Sequence, residues 1–486
     1  MTRMAQTHAP PAEPAPRAPE PPSPRRGARR ARAVLRHWLG SGTPGRIRLS
    51  ALASLAAAAL LFAAAAAAMS QAREGFQVIG GGAGAKVAAS SDLYLALSDM
   101  DAQTADILLI GGDGTEQAEE AERIYDRRRA EAGAALVQAA QLAEGSGAEE
   151  RNVREVIDGL GAYERLATEA RAAGTDDGEP SDEAVGLYRD ATDLMRLELL
   201  PKAYNLTLDS GATVRVTYEE KRAAVLAGAG WTAAAGLAAV AALGWHHRNL
   251  ATRFRRRINP AVAVAAAGAL LLTGAAAGTL LLQAERMRAA KEDGLDPVLA
   301  LSRAHAISTG MHGDQSRFLL DGERADTYAQ VYLDGARSVV FVEGEDLAAY
   351  TAQLEESVGA YPDAELLGLL GLEAAEPSQD GGRERAADVL DAYLAFQQAD
   401  AELREIARDG SRSEAAEFRM GEAEEAYAAY ESALADLTRM HADAYEEAVA
   451  AGDRGLRGWG WILPAAVLAV AALAVAGAYP RLAEYR

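Results

Sequence analysis

Four long apolar segments divide the chain into alternating apolar and polar parts. None of them contains a charged residue, and each has about the ~20 residues that an α-helix needs to cross ~30 Å of hydrocarbon. A buried helix of a soluble protein usually keeps a polar stripe, which these segments lack. We therefore predict four transmembrane helices, TM1 to TM4, at residues 49–69, 223–244, 261–283 and 458–479.

The two long polar segments, 70–222 and 284–457, have helical periodicity. In the second, apolar and aromatic residues recur at alternating spacings of three and four from Val389 to Leu403 and again from Tyr427 to Ala448. This 3.5-residue repeat predicts long helices packed at a shallow angle. Each segment must begin and end at the membrane, so it needs an even number of long helices, and four fits its length. In the first segment, candidate helices separated by Gly-rich breaks cover 85–110, 115–143, 149–173 and 181–204.

Three stretches depart from this pattern. Residues 213–220, TVRVTYEE, alternate like a strand, but we expect them to continue into TM2 as helix. Residues 359–382 resemble a loop with one short helix. Residues 78–90, VIGGGAGAKVAAS, lack both the Gly-Lys-Ser/Thr order and the preceding strand of a phosphate-binding loop, so we interpret them as a flexible elbow.

The charges are sorted between the segments that the apolar helices define. Residues 1–48, 245–260 and 480–486 together hold 17 basic and 3 acidic residues, whereas the two long polar segments hold 16 basic against 30 and 37 acidic residues. Short Arg-rich loops remain in the cytoplasm because positive charge is hard to translocate. The topology signal in the 245–260 loop is the basic set Arg253, Arg255, Arg256 and Arg257.

This partition predicts the orientation of the chain in the plasma membrane. Both termini are expected in the cytoplasm, and the fold class is an all-α membrane protein with two tandem extracytoplasmic four-helix bundles. The first 48 residues, rich in Pro, Ala and Arg, are expected to be a disordered basic tail with a short amphipathic helix near 31–38. A cleaved signal peptide is the alternative for TM1, although the long leader favours an uncleaved anchor. The chain has no Cys, so packing must hold the bundles together.

A repeated segment indicates duplication. DAQTADILLIGGDG at 101–114 and HGDQSRFLLDGERA at 312–325 lie at comparable distances after TM1 and TM3. Both have small or polar helical residues followed by Leu-Leu and a Gly. The unit of span, bundle and span therefore occurs twice, unless similar helix ends arose independently.

No catalytic, cofactor-binding or metal-binding motif is recognisable, so the sequence predicts a protein that is not an enzyme and needs no cofactor. His246 and His247 lack the companions of a metal site. The basic loop is too short for a nucleic-acid surface, and its expected partner is the lipid bilayer. The densest basic cluster of the outer segments, a possible ligand or partner patch or only a solvated face, is Arg123, Arg127 and Arg128.

Three stretches carry a family resemblance: TPGRIRL at 43–49, DLYLALSDMDAQTADILLIGG at 92–112 and LYRDATDLMRLELLPKA at 187–203. With them the chain resembles the actinobacterial four-pass membrane sensor associated with a glutamine-binding-type lipoprotein and protein kinase G, and the outer segments are similar to the four-helix sensor domains of chemoreceptors. The resemblance implies that a solute-binding lipoprotein senses amino acids such as aspartate or glutamate outside, and that a Ser/Thr kinase pathway responds inside.

Two functions are compatible with these features. The first is a signal transducer whose bundles shift between discrete arrangements and whose output passes through another protein. The second is a scaffold or adaptor of the cell envelope that holds partners without switching. The sequence leaves open a homodimer and does not identify the ligand.

Overall fold

The computed structural model describes residues 43–111, 116–143, 147–176, 179–254, 259–364, 366–375 and 381–483. Four of its helices are long and apolar enough to cross a membrane, and they lie within Gly45–Gly81, Arg215–Thr252, Pro260–Leu320 and Arg412–Pro480. Almost all other described residues are helical as well. The prediction of an all-α membrane protein is confirmed. The predicted disordered tail lies outside the described residues, except for residues 43–48, which are helical.

The first half of the chain contains two membrane spans and the helices between them. Its elements, in order, are α1 (Thr43–Gln77), a π-helical turn (Val78–Ala83), α2 (Gly84–Ile110), α3 (Glu116–Leu142), α4 (Gly147–Ala172), two paired two-residue strands β1 (Thr175–Asp176) and β2 (Glu179–Pro180), α5 (Asp182–Leu194), a second π-helical turn (Met195–Leu199) and α6 (Leu200–Phe254). We call α2 to α5 and the first part of α6 bundle 1.

The second half has the same plan with a more divided bundle. Its elements are α7 (Pro260–Arg288), a π-helical turn (Ala289–Leu295), α8 (Asp296–Leu320), a 3₁₀ turn (Gly322–Arg324), α9 (Ala325–Val339), α10 (Leu347–Gly359), α11 (Gly368–Ala375), α12 (Gly382–Asp409), α13 (Arg412–Met420), α14 (Glu422–Leu456) and α15 (Trp459–Ala483). We call α8 to α14 bundle 2.

Most local predictions agree with these bounds. The first three candidate helices of the first polar segment match α2 to α4 within two residues, and the fourth, 181–204, covers α5, the second π-helical turn and the start of α6. As expected, α6 runs through TVRVTYEE into TM2. The short helix expected within 359–382 is α11. The flexible elbow at 78–90 is wrong, because the chain stays helical there through the π-helical turn and into α2. The glycines widen the helix instead of ending it.

Each bundle has an apolar core at the positions that the periodicity selects. In bundle 2 the core includes Tyr393, Phe396, Tyr430 and Leu434, all at most 1% exposed. In bundle 1 it includes Leu97 from α2, with residues of α3, α4 and α5 around it. Asp400 and His441 occupy core positions of the same heptad pattern and are also buried, although they are polar.

The described residues form two compact units. One consists of the residues up to Phe62, Ala234–Thr273 and the residues from Pro464 onward. Inside it, His246 Nδ1 lies 2.8 Å from Ser50 Oγ, and Asn259 donates to the Gly477 carbonyl. The other unit, Ala63–Ala233 with Gly274–Leu463, contains both bundles and the site described next.

Candidate functional site

Helices α2 and α8 pack against each other and are buried on all sides at mid-length. Every residue in 96–106 and in 311–317 is buried. A helix that is buried all round is normally apolar, yet these two carry many charges. We call the following set, with one arginine from α13, the polar seam: Asp99, Asp101, Asp106, His312, Asp314, Arg317 and Arg419.

The two helices approach each other closely at Gly313. A Cβ atom at this position would lie 2.8 Å from Cβ of Ala102 and 3.0 Å from its Cα, so any side chain would push the helices apart. Ala102 and Gly313 are the second residues of the two repeated segments. Repeat-related residues therefore face each other, as expected when two copies of one unit pack about a local two-fold axis.

Duplication is also visible in the π-helical turns. Val78–Ala83 follows α1, and Ala289–Leu295 follows α7. The first residues of the two turns, Val78 and Ala289, are separated along the chain by the same number of residues as Ala102 and Gly313. Because π-helical turns are rare and are frequent at functional sites, their matched positions support the interpretation of the chain as two copies of one unit.

Arg317 is the centre of the seam. Its side chain is 2% exposed, its Nη2 donates to Asp101 Oδ2 at 2.7 Å and its Nη1 donates to Asp314 Oδ1 at 2.7 Å. Its Nε donates to the Tyr188 hydroxyl at 2.9 Å. Asp101 and Tyr188 belong to bundle 1, and Arg317 and Asp314 belong to bundle 2, so this guanidinium joins the bundles.

The tyrosines around Asp101 stay protonated. Burial raises the pKa of Tyr163 and of Tyr188, an effect that outweighs the opposing charge of Arg317 at Tyr188. The Tyr163 hydroxyl donates to Asp101 Oδ1 at 3.3 Å, and the Thr192 hydroxyl donates to Oδ2 at 2.7 Å. The Asp101 carboxylate is thus satisfied by neutral donors as well as by Arg317.

A second buried arginine connects three other helices. Arg419 at the end of α13 has a completely buried side chain, and its Nη2 donates to Asp106 Oδ1 of α2 at 3.1 Å. Its Nη1 donates to Glu424 Oε2 of α14 at 3.0 Å. Ser316 of α8 also donates to Asp106. A buried carboxylate of bundle 1, Asp106, is therefore paired with a buried cation of bundle 2, Arg419.

His312 cannot satisfy all of its neighbours at once. Its Nε2 lies 2.8 Å from Arg419 Nη2, which is a donor, and 2.9 Å from Glu424 Oε2, which is an acceptor. A ring nitrogen either carries a proton or accepts one. Two hydrogen-bond arrangements are therefore available, and the buried His312 Nδ1 and Arg419 Nε have no partner among the described residues. The ring is held by Tyr427, which stacks on it at 3.9 Å.

Further ion pairs between the bundles lie at the edge of the seam. Arg189 of α5 donates through Nε to Asp321 Oδ2 at 2.7 Å, and Arg196 donates through Nη1 to Asp314 Oδ1 at 2.7 Å. Buried ion pairs contribute little net stability, because desolvation offsets their attraction, but one unpaired member is costly. We infer that the seam fixes one arrangement of α2 against α8 and contributes little to the free energy of folding.

The residues singled out in the sequence do not converge. Arg123 is exposed and pairs with Glu120, Arg127 is exposed, and Arg128 turns inward to donate to Asp99 at 2.6 Å. Whether they form a binding patch stays a prediction. Arg253 lies in the last turn of α6 with its side chain outside the described set, and Arg255, Arg256 and Arg257 lie outside the described residues altogether.

Sequence reasoning missed the seam, although it noticed the two segments that form it. A helix as polar as HGDQSR would ordinarily face water. The repetition of the two segments was the available sign of a buried contact, because both copies have a small residue at the position where the helices pack closely, Ala102 and Gly313. Arg419 gave no signal in the sequence. Among the described residues no group of three or more His, Asp or Glu side chains is arranged to hold a metal ion.

One part of the chain is similar to a known protein family. Residues 75–219 match the family model described as an actinobacterial sensor domain. The match covers bundle 1 and less than a third of the chain, and it includes the bundle 1 half of the polar seam. No curated protein matches the chain. The matched segment is thus similar to a sensor domain, and it lies in a multi-pass membrane protein.

Proposed function

We propose that this protein is a transmembrane sensor that relays extracellular amino-acid status, through a solute-binding lipoprotein, to a cytoplasmic Ser/Thr kinase pathway. The observation that carries the proposal is the polar seam between α2 and α8. One side of it lies in a segment that matches a sensor domain. At His312 two hydrogen-bond arrangements are available to the same side chains, and in this proposal the seam is the two-state element that a ligand shifts.

A change at the seam has a route along the helices. Packed helices shift by ~1–2 Å between discrete arrangements in known switching proteins. Helix α6 is uninterrupted from Leu200, one turn after Arg196 at the edge of the seam, through TM2 to Phe254 within the basic loop. A sliding of α6 in bundle 1 would therefore displace TM2 and the loop without any hinge.

The charge of the bundles favours a protein as the direct partner. The polar segments carry net charges of −14 and −21, so they repel a free dicarboxylate at long range. A lipoprotein with a complementary basic surface would be attracted by the same field. In this scheme the lipoprotein binds the amino acid, and the bundles bind the lipoprotein.

The relay is tested by deleting the gene. Addition of external aspartate or glutamate should change phosphorylation of the kinase substrates in the parent strain and in a complemented strain, but not in the deletion strain. Quantitative phosphoproteomics measures this response. An intact response in the deletion strain would sink the relay and leave the alternative, a non-switching scaffold of the envelope.

A cross-link separates switching from scaffolding. A Cβ at Gly310 would lie 3.6 Å from Ser98 Oγ, so cysteines at Ser98 and Gly310 are within reach of a disulfide between α8 and α2. The native chain has no other Cys. If the bundles slide, the oxidised double variant should lose the response and a reductant should restore it, with each single variant as control. A locked protein that responds normally favours the scaffold.

A further inference from the structure

A cleft of about 810 Å³ opens between the two bundles beside the polar seam. Its volume is within the range of small-molecule sites, roughly 300–1,000 Å³. Both bundles contribute to its walls. The lining includes Tyr94, Arg196, Tyr204, Arg303, Ile307 and Met311. We call it the inter-bundle cleft.

Arg303 gives the cleft an available positive charge. Its guanidinium carbon lies 4.8 Å from the centre of the Tyr204 ring, and its Nη2 donates to the Tyr204 hydroxyl. Among the described residues no carboxylate lies within 4.0 Å of it, whereas Arg196 in the same cleft is paired with Asp314. An arginine oriented by a ring keeps the remaining donors of its planar fork for another acceptor.

The rest of the cleft is mainly apolar. Ile307 and Met311 of α8, Leu200 of α6 and Leu369 of α11 line it. Apolar walls with a few fixed polar groups are typical of sites for small organic molecules. The chemistry therefore fits a molecule with one anionic group for Arg303 and an apolar body for these walls.

We propose that the inter-bundle cleft binds a small organic carboxylate with an apolar body, held by Arg303. A carboxylate matches the guanidinium fork with two parallel hydrogen bonds. Both oxygens of Asp314, the carboxylate in the cleft, already accept from Arg196, so Arg303 is the charged group of the cleft that is left for a ligand. This site is a second input to the proposed sensor and rests on that function only for its physiological role.

Binding in the cleft would reach the seam directly. Arg196 links the cleft to Asp314, and Asp314 is bound to Arg317 at the centre of the seam. A carboxylate that drew Arg196 away would leave Asp314 with Arg317 alone. Since Arg317 also holds Asp101, the contact between α2 and α8 would change with it.

The test uses the purified full chain in nanodiscs of phosphatidylcholine, a lipid without net charge, and 4-fluorophenylacetate observed by ¹⁹F NMR. With about ten heavy atoms this probe should bind in the millimolar range or tighter. The neutral analogue 2-(4-fluorophenyl)ethanol should bind at least about tenfold more weakly, because it cannot pair with a guanidinium. Three variants locate the site: Arg303→Gln, Val331→Trp, which narrows the cleft without changing charge, and the control Arg439→Gln, an exposed arginine that does not line the cleft.

Arg303→Gln should weaken binding about ten- to hundredfold, Val331→Trp should abolish it, and Arg439→Gln should leave it unchanged. Arg303→Lys, which keeps the charge and loses the fork, should give an intermediate affinity and covers the case in which the Gln variant misfolds. Absence of saturable binding, equal affinity in Arg303→Gln and wild type, or full binding in Val331→Trp would overturn the proposal. None of these results affects the deletion test of the relay.

Discussion

Arg317 carries a full positive charge in the interior, between carboxylates of both bundles. Asp101 and Asp314 each lie 2.7 Å from it, and all three side chains are at most 2% exposed. Such a group gains little over an apolar residue when everything is paired, but its removal leaves the buried Asp101 without its cation and Asp314 with Arg196 alone. Loss of Arg317 is therefore expected to cost more free energy than its ion pairs contribute to the intact protein.

Arg317→Met is expected to lower the free energy of unfolding by about 3–5 kcal/mol, because Asp101 would remain buried without its cation and Asp314 would keep only Arg196. Thermal unfolding of the purified chain in nanodiscs measures the effect. The exposed Arg127→Gln should change stability by no more than about 0.5 kcal/mol. Equal stability of the two variants would show that the seam is hydrated and open.

Asp321 makes stability depend on pH. Burial alone would raise the pKa of this carboxyl, but hydrogen bonds and charge from Arg189 outweigh burial and hold the pKa below its usual range. A carboxylate whose pKa is lower in the folded state stabilises the fold above the ordinary aspartate value of about 3.9, and this contribution is lost as pH falls further.

Asp321→Asn should therefore destabilise the protein by about 1.5 kcal/mol or more at neutral pH, and the difference from wild type should shrink below about pH 4. Melting temperatures of both proteins between pH 3 and pH 7 test this. A difference that stays constant over the whole range would mean that ionised Asp321 does not stabilise the folded state.

At the scale of elements, the packing of α2 on α8 depends on one position without a side chain. Gly313 lies against both Cα and Cβ of Ala102, and backbone cannot move aside as a flexible side chain can. In contrast, a Cβ atom added at Gly133 of α3 would meet no other atom within 4 Å. The two glycines thus provide a matched pair of helical sites.

Gly313→Ala should destabilise the protein by about 1–3 kcal/mol through overpacking between the helices. Gly133→Ala should instead stabilise it by about 0.4–1 kcal/mol, since alanine restricts the unfolded chain and fits the helix. Chemical or thermal unfolding of both variants gives the sign. A stabilising Gly313→Ala would show that α2 and α8 separate easily, contrary to the close packing.

At the scale of the whole molecule, the charge partition predicts orientation in the membrane. Single cysteines at Ser146 and Ser411 should react with an impermeant maleimide added to intact cells, whereas one at Thr252 should react only after the membrane is opened. The native chain has no Cys, so no background substitution is needed. External labelling at Thr252 would reverse the predicted topology.

The sequence by itself determined the membrane spans, the helical class and the faces of the bundle helices. These follow from local patterns: uncharged apolar runs of membrane length, and a 3.5-residue repeat that puts Tyr393, Phe396 and Tyr430 in the core. Helix bounds were also close, because Gly-rich breaks mark the ends of α2, α3 and α4. At Gly111, which ends α2 with a φ of 65°, glycine is the residue that tolerates this backbone.

Only the tertiary structure decided that the most polar helical segments are buried. Periodicity cannot distinguish a solvated helix from one whose charges are paired by distant residues, and the partners of Asp101 and Asp106 are Arg317 and Arg419, far away along the chain. The glycines at 78–90 were misread because glycine permits a helix as well as a break, and the chain there stays helical. The seam and the cleft arise when the two repeated units are brought together, and that contact is not encoded in either unit alone.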